Sequence, residues 1–441
     1  MSIFLARILR LFLIIFLAFL NTICSGFASE TKVITPTGLV PTAHEKKWVN
    51  RIGNQSCRPC LYSEPQTFDE LCNDIKQTAL QGHALRVLGN GYSISDIGCT
   101  DGCLLSLKHL KKILFIDTEK KLVRVEAGIT IQELNEQLAP YGLALSNQAA
   151  IAQITLGGAL STGVHGTGHT GSLSSFVREF ELITADGNLH TLSLMSDPDA
   201  FAAVSVGLGS LGVIYAVTLQ CESLFYLYAY SEVTDRENIV KNYKTLHKSN
   251  DFFQFLWNVT TDKVVVNRWN RCKHATHHND LVHECVASYK TLPWYVIDEN
   301  DKDLFSEFAI PIDFLPNVLE MIKQFIQKYK EVGAKITDIN VRFVEQDAHA
   351  YLSPSSDGPV AYIALCILEE DTHLAFYKEF EEVMSTYHGR PHWGKINFLD
   401  YDKAINLYGT NLQKFINVKH KLDPQGVFSN SFTDRILGCE K

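Results

Sequence analysis

The chain has 441 residues, with 40 Lys and Arg against 49 Asp and Glu for a formal net charge of −9, and 46% of its residues are hydrophobic. At roughly 150 residues per domain that length holds two or three domains, and the apolar content supplies real cores and argues against disorder or coiled coil. Net negative charge without a long Lys/Arg run removes the electrostatic footprint of a nucleic-acid binder, so no nucleic-acid partner is expected.

The first residues stand apart. Arg7 and Arg10 precede an uninterrupted apolar run, Leu11 to Leu20, followed by small and polar residues ending at Gly26-Phe27-Ala28. This is the layout of a secretory signal, and the run falls short of the ~20 residues that span a bilayer. We expect cleavage after Ala28 and an exported, periplasmic or secreted protein; an uncleaved signal would instead anchor it to the membrane. Losing Arg7 and Arg10, with no acid in residues 1–28, takes the mature charge from −9 to −11. Eleven cysteines include the close pairs Cys57/Cys60, Cys99/Cys103 and Cys272/Cys285. An oxidising compartment lets some of them pair, although spacing alone does not give the connectivity.

Residues 29–45 read as an extended N-terminal arm, continuing irregularly through Trp48 and Cys57-Arg58-Pro59-Cys60. A helix opens at Phe68, and Leu85 to Leu88 is a short strand ending at Gly89. Leu104 to Leu107, Lys112 to Ile116 and Val123 to Ala127 are further strands, and Ile131 to Leu138 is an amphipathic helix. Glycines concentrate between Gly89 and Gly212. Beyond a boundary near Glu222 aromatics become frequent and glycine scarce, with the clearest helices at Ile322 to Tyr329 and Ala375 to Tyr387.

Gly207-Leu-Gly209-Ser-Leu-Gly212 has the spacing of a dinucleotide fingerprint, but that motif must follow a strand and open a helix. Here Asp199 to Ser205 is helical and Val213 to Leu219 is a strand. The order is inverted, and the segment is a tight helix-to-strand turn. Two other turns, Gly89 to Ser93 and Gly157 to Gly168, combine several glycines with hydroxyl side chains. Such turns expose backbone N–H groups and bind phosphate oxygens without a lysine. Together they point to a pyrophosphate-bearing cofactor.

Gly89-Asn-Gly-Tyr-Ser93, Val125-Glu-Ala-Gly-Ile129, Leu143-Ala-Leu-Ser-Asn147, Ser161-Thr-Gly-Val-His-Gly-Thr-Gly168 and Pro391-His-Trp-Gly-Lys395 resemble, in order from about Lys46 to Leu437, the sugar-lactone oxidases. These gulonolactone, arabinonolactone and galactonolactone oxidoreductases, with alditol oxidase, form a branch of the vanillyl-alcohol-oxidase-type flavoproteins. The resemblance implies an α+β fold. A two-subdomain FAD-binding domain of the PCMH type would span residues 46–222 and an α+β cap (substrate) domain on an antiparallel sheet residues 223–389, with a segment at 390–441 returning to the flavin. It implies that Val87, Leu88, Gly89, Asn90, Gly91, Tyr92 and Ser93, with Thr162, Gly163, Val164 and His165, hold the FAD pyrophosphate. Ala149, Thr155, Gly158, Ile214 and Lys395 would contact the rest of the cofactor. His165 would act mostly through its backbone, His392 would position Trp393, and His169 reads as ordinary surface.

Three departures from the family carry information. Many members have a covalently flavinylated His where this chain has Tyr92, which has no imidazole nitrogen, so FAD is expected to be non-covalent. Ala149 replaces a small Gly beside the flavin, a change that bears on dioxygen access without separating oxidase from dehydrogenase. The family's Glu-x-Arg becomes Asn340-Val-Arg342, and an amide cannot take a proton or a negative charge.

The implied reaction oxidises a CH–OH group of a sugar-1,4-lactone or polyol, with hydride passing to flavin N5 and dioxygen or another acceptor reoxidising it. Arg342, Lys395 and Asn340 are its candidate catalytic residues. The alternatives are a flavin oxidase of a different alcohol and a catalytically impaired flavin- or carbohydrate-binding protein. Four histidines between Cys272 and Cys285 fit no standard zinc spacing; a disulfide-closed loop is expected there, and no metal site. Asn54-Gln-Ser56 and Asn258-Val-Thr260 are glycosylation sequons.

Overall fold

The computed structural model describes residues 38–41, 47–272, 284–293, 295, 303–331, 336, 338–367 and 373–438. The signal segment, most of the arm and the loop histidines lie outside the described residues.

The first region is built on two sheets. Strands β1 (Leu61–Ser63), β2 (Leu85–Leu88) and β3 (Cys103–Ser106) are parallel, with β3 in the middle, and Val40–Pro41 adds to β1 on its other side. Helix α1 (Phe68–Leu80) crosses over between β1 and β2, its first turn held by Thr67, whose hydroxyl accepts from the Glu70 N–H. The second sheet is antiparallel and contains β4 (Ile113–Asp117), β5 (Leu122–Glu126), β6 (Val177–Ile183), β7 (Leu189–Leu192) and β8 (Val213–Gln220) in the order β7-β6-β8-β5-β4. Between β5 and β6 lie α2 (Ile131–Leu138), opened by a reciprocal Thr130/Glu133 capping box, and the short α3 (Leu156–Ser161). Helix α4 (Pro198–Val204) leads into β8 through the 207–212 turn, where Leu208, Gly209 and Gly212 all take positive φ. A turn of that conformation ends a helix and starts a strand, and it does not open a nucleotide-binding helix.

The second region is one antiparallel sheet of β9 (Tyr226–Asp235), β10 (Phe252–Asn258), β11 (Lys263–Arg271), β12 (Leu304–Pro311), β13 (Ile339–Val344), β14 (Val360–Ile367) and β15 (Arg390–Pro391), with Val286–Ala287 at one edge. Their order from that edge is β9-β11-β10-β13-β14-β12-β15. Helices α5 (Arg236–Ser249), α6 (Leu315–Lys330) and α7 (His373–Ser385) cover one face. There Phe253, Phe255, Phe308, Val341, Phe343 and Ile363 pack with Tyr243, Ile322, Phe376 and Phe380. Side chains alternate across a strand, so the other face is set by register. Gln254, Arg342, Tyr362 and Ala309 form one cross-strand row, and Leu256, Asn340, Ala364 and Glu307 the next. Helices α8 (Tyr401–Tyr408), α9 (Thr410–Leu422) and α10 (Ser431–Leu437) pack into the core of the first region through Leu412, Phe415 and Phe432.

Cys272 and Cys285 are joined in a disulfide, whereas Cys57, Cys60, Cys99 and Cys103 are free thiols. Cys103 lies buried within β3, while Cys57 takes the Thr100 N–H at 3.4 Å.

Candidate active site

A cleft with about 1520 Å³ of empty space runs from the glycine turns of the first region to the helix-free face of the second sheet. Among the residues singled out from the sequence, Val87 to Ser93, Ala149, Thr155, Gly158, Thr162, Val164, His165, Ile214, Arg342 and Lys395 line it. Gly163 and Asn340 do not. Gly163 shapes the turn through φ +65°, and Asn340, one row along β13 from Arg342, has an amide nitrogen buried with no hydrogen-bond partner.

The cradle is close-fitting. A Cβ at Gly89 would stand 2.4 Å from Thr155 Oγ1, so only glycine lets the loop after β2 lie against the start of α3. Asn90 Nδ2 donates to Gln153 O at 2.7 Å, and Arg51 N donates to Gly91 O at 2.9 Å. The Arg51 guanidinium lies 5.0 Å from the centre of the Tyr92 ring.

Arg86 is a structural residue whose one sequence signal is a charge inside the apolar strand β2. It is buried with no carboxylate partner among the described residues, and it donates instead to the carbonyls of Ile97, Leu208, Gly209 and Phe428 at 2.7–3.1 Å. One side chain thus ties β2, the 96–98 turn, the 207–212 turn and the returning C-terminal segment around the cleft. Burial pushes its pKa down to about 10, still charged at neutral pH.

At the far end the second sheet delivers a buried charge cluster. Glu307 Oε1 accepts from Arg342 Nη2 at 2.5 Å and lies 3.5 Å from His165 Nε2. Arg342 Nη1 also donates to His165 O at 3.3 Å, while its Nε and His165 Nε2 have no hydrogen-bond partner. Burial works to raise the Glu307 carboxyl, but Arg342, His165 and His392 outweigh it and hold the group well below the usual carboxylate range. Burial, then Arg342, lowers His165, and burial takes His392 down to about 3, so both imidazoles are neutral. His165 Nδ1 lies 3.0 Å from Gly166 O; since a carbonyl only accepts, Nδ1 carries the proton and Nε2 the lone pair. The ring stacks on Tyr362 at 3.5 Å, so its side chain, and not the backbone alone, belongs to the cluster. Burial also lowers Lys395, which Glu307 partly offsets, and its ammonium lies 5.2 Å from the Phe305 ring. Trp393 is fixed by Nε1 donating to Leu352 O at 2.7 Å, and His392 Nδ1 accepts from Gly394 N at 3.0 Å. Glu307 was not legible as a site residue. Its one sequence signal is a charge inside the apolar run of β12.

A two-region cleft with a glycine cradle at one end and a cationic, carboxylate-braced cluster at the other defines an FAD-linked oxidoreductase. The comparisons bear this out. Residues 59–193 match the family described as FAD binding domain, and residues 217–298 and 288–436 match the family described as D-arabinono-1,4-lactone oxidase. The chain is 31% identical to the L-gulonolactone oxidase of Scyliorhinus torazame over 426 residues, covering 86% of this chain and 96% of that protein. It is 30% identical to the L-gulono-1,4-lactone dehydrogenase of Mycobacterium tuberculosis (89% and 99% covered) and 32% identical to the D-arabinono-1,4-lactone oxidase of Kluyveromyces lactis (87% and 94%). In three dimensions it is similar to a cholesterol oxidase from B. sterolicum, with TM-score 0.78 at 15% identity over 93% of this chain and 100% of that one, a likeness of fold alone. The chain belongs to the sugar-1,4-lactone oxidase family of FAD-linked oxidoreductases acting on CH–OH groups.

Proposed function

We propose that this protein binds FAD non-covalently in the cleft and oxidises a ring hydroxyl of an aldono-1,4-lactone, with dioxygen as the terminal acceptor. The observation that carries the reading is the Glu307–Arg342–His165 cluster facing the cleft beside Lys395. FAD held in the glycine cradle would supply the two-electron acceptor for the hydride of the substrate carbon.

The remaining work falls to the chain. Arg342 is braced from behind by Glu307 and the His165 carbonyl, which leaves Nε free to donate to a lactone oxygen and to stabilise negative charge on the reacting hydroxyl. The hydroxyl proton passes to the His165 Nε2 lone pair. Glu307 Oε1, 3.5 Å away, then stabilises the imidazolium by its charge. This arrangement supplies the carboxylate that Asn340 cannot. Lys395 adds a cation at the cleft wall, where a dry surrounding strengthens its field. Tyr92 lines the cleft with a phenol that burial keeps protonated, and a phenol has no imidazole nitrogen to bond the flavin.

Export through the 1–28 segment belongs to the same proposal and is supported by the Cys272–Cys285 disulfide, a bond that persists in oxidising compartments. The deciding experiment is a visible spectrum of the purified protein followed by anaerobic titration with L-gulono-1,4-lactone, D-arabinono-1,4-lactone and alditols. Bleaching by a lactone and recovery of colour on admitting oxygen is the expected result. A flavin spectrum that bleaches only with other alcohols, or never, refutes the reading.

A further inference from the structure

We infer that His169, His247 and Glu345 form a binding site for a divalent transition-metal ion of the zinc class. None of the three lines the cleft, so the site stands independently of the function proposed there.

The donors come from three separately anchored pieces. Gly168 N donates to Phe343 O at 2.8 Å and Glu345 N to Thr170 O at 3.0 Å, which docks the 168–170 segment against the end of β13 and sets His169 beside Glu345. His247 arrives from the last turn of α5, its ring stacked on Phe343 at 5.1 Å and lying 4.6 Å from the His169 ring. His247 Nε2 is 3.3 Å from Glu345 Oε1 and His169 Nδ1 is 3.8 Å from the same oxygen; one donor atom of each residue falls within 4.8 Å of the other two. Ligands about 2.0–2.2 Å from a tetrahedral zinc stand roughly 3.3–3.5 Å apart, so one edge is already at its bonded length and the others close by side-chain rotation.

Two imidazoles and a carboxylate suit zinc, and the surroundings support a cation. His169 Nε2 donates to Asn250 O at 3.0 Å, which leaves the Nδ1 lone pair facing the cluster, as a metal-ligating histidine is normally oriented by its second nitrogen. Asn250 is itself held, donating to Leu246 O at 2.7 Å and accepting from Asn270 Nδ2 at 2.8 Å. The His169 and Glu345 side chains are 44% and 37% exposed, so an ion can enter and water can complete its shell.

The test uses the full-length holoprotein with His274, His277, His278 and His283 replaced by alanine, which removes the other histidine-rich segment. After chelator treatment this parent is titrated with Zn²⁺ by calorimetry and with Co²⁺ by absorption. We expect one ion per chain, four-coordinate cobalt bands beyond the flavin spectrum, and a melting temperature raised by Zn²⁺. His169→Gln and Glu345→Gln each lower the affinity on the order of 100-fold or more and abolish the thermal response, while flavin bleaching is unchanged. Titrations of either variant that superimpose on the parent, or a parent that binds no Zn²⁺ in the micromolar range, overturn the site.

Discussion

Glu307→Gln is the most informative single change, because it preserves shape and removes one charge. Arg342 is 8% exposed, and the variant leaves its guanidinium as a buried cation beside the neutral His165 and His392. Breaking a buried ion pair from one side costs about 3–5 kcal/mol, and the amide oxygen can still accept one hydrogen bond, which points to the lower end. A loss of about 3 kcal/mol lowers the folded-to-unfolded ratio roughly a hundredfold, read at neutral pH as a lower urea midpoint.

The pH dependence supplies a second arm. Glu307 titrates well below its ordinary value in the fold, so its stabilising contribution is complete above the unfolded value of about 4.3. That contribution drains away as pH falls through the depressed folded value, because the unfolded chain takes up the proton first. The stability gap between the parent and Glu307→Gln must therefore narrow on acidification. In stopped-flow reduction with a lactone, losing the charge that stabilises the His165 imidazolium slows bleaching on the order of 100-fold or more. A variant as stable as the parent at neutral pH, a gap that stays constant into acid, or an unchanged bleaching rate would each refute this account of the cluster.

Three further outcomes follow. Arg86→Lys keeps the charge but has three donors for four carbonyls in a geometry made for a guanidinium, so stability falls by about 2–4 kcal/mol and FAD is lost more readily on dialysis; a parent-like urea midpoint would show that the four bonds are dispensable. Acid precipitation releases the yellow chromophore into the supernatant, because Tyr92 offers no nitrogen for a flavin bond, and colour retained in the pellet would contradict this. Asn340→Ala leaves the lactone bleaching rate unchanged, since the amide lies outside the cleft, and a large loss would return Asn340 to the substrate.

What could be read from the sequence was local. Helix α2 runs over Ile131–Leu138 as its apolar spacing predicts, with Thr130 and Glu133 closing its first turn, and β5 is marked by Val123 and Val125 alternating with polar neighbours. The glycine turns are legible for the same reason, because their constraint lies within a few consecutive residues. The Gly207 to Gly212 turn follows a helix, Pro198–Val204, and opens a strand, Val213–Gln220, in the order that the sequence predicts. The charge cluster is different in kind. Glu307 and Arg342 are 35 positions apart and meet only because β12, β14 and β13 pair in a register that sets both on the helix-free face.

Buried charges in apolar strands carry a signal that motif spacing does not contain. Arg86 sits in Leu-Arg-Val-Leu and Glu307 in Phe-Ser-Glu-Phe-Ala-Ile, and an unpaired charge in either place would cost several kcal/mol. Each must therefore have partners that the local sequence does not contain. For Arg86 these are four carbonyls from three other segments, which makes it an architectural tie. For Glu307 they are Arg342 and His165, which both face the cleft. Asn340 and Arg342 lie in neighbouring rows of the same sheet face. Asn340 shares its row with Glu307 across Ala364, so that row keeps a carboxylate although the amide carries none, and Arg342 in the next row takes its counter-ion from there. The carboxylate requirement belongs to the buried guanidinium and not to a motif position, so any strand whose register reaches that row can satisfy it.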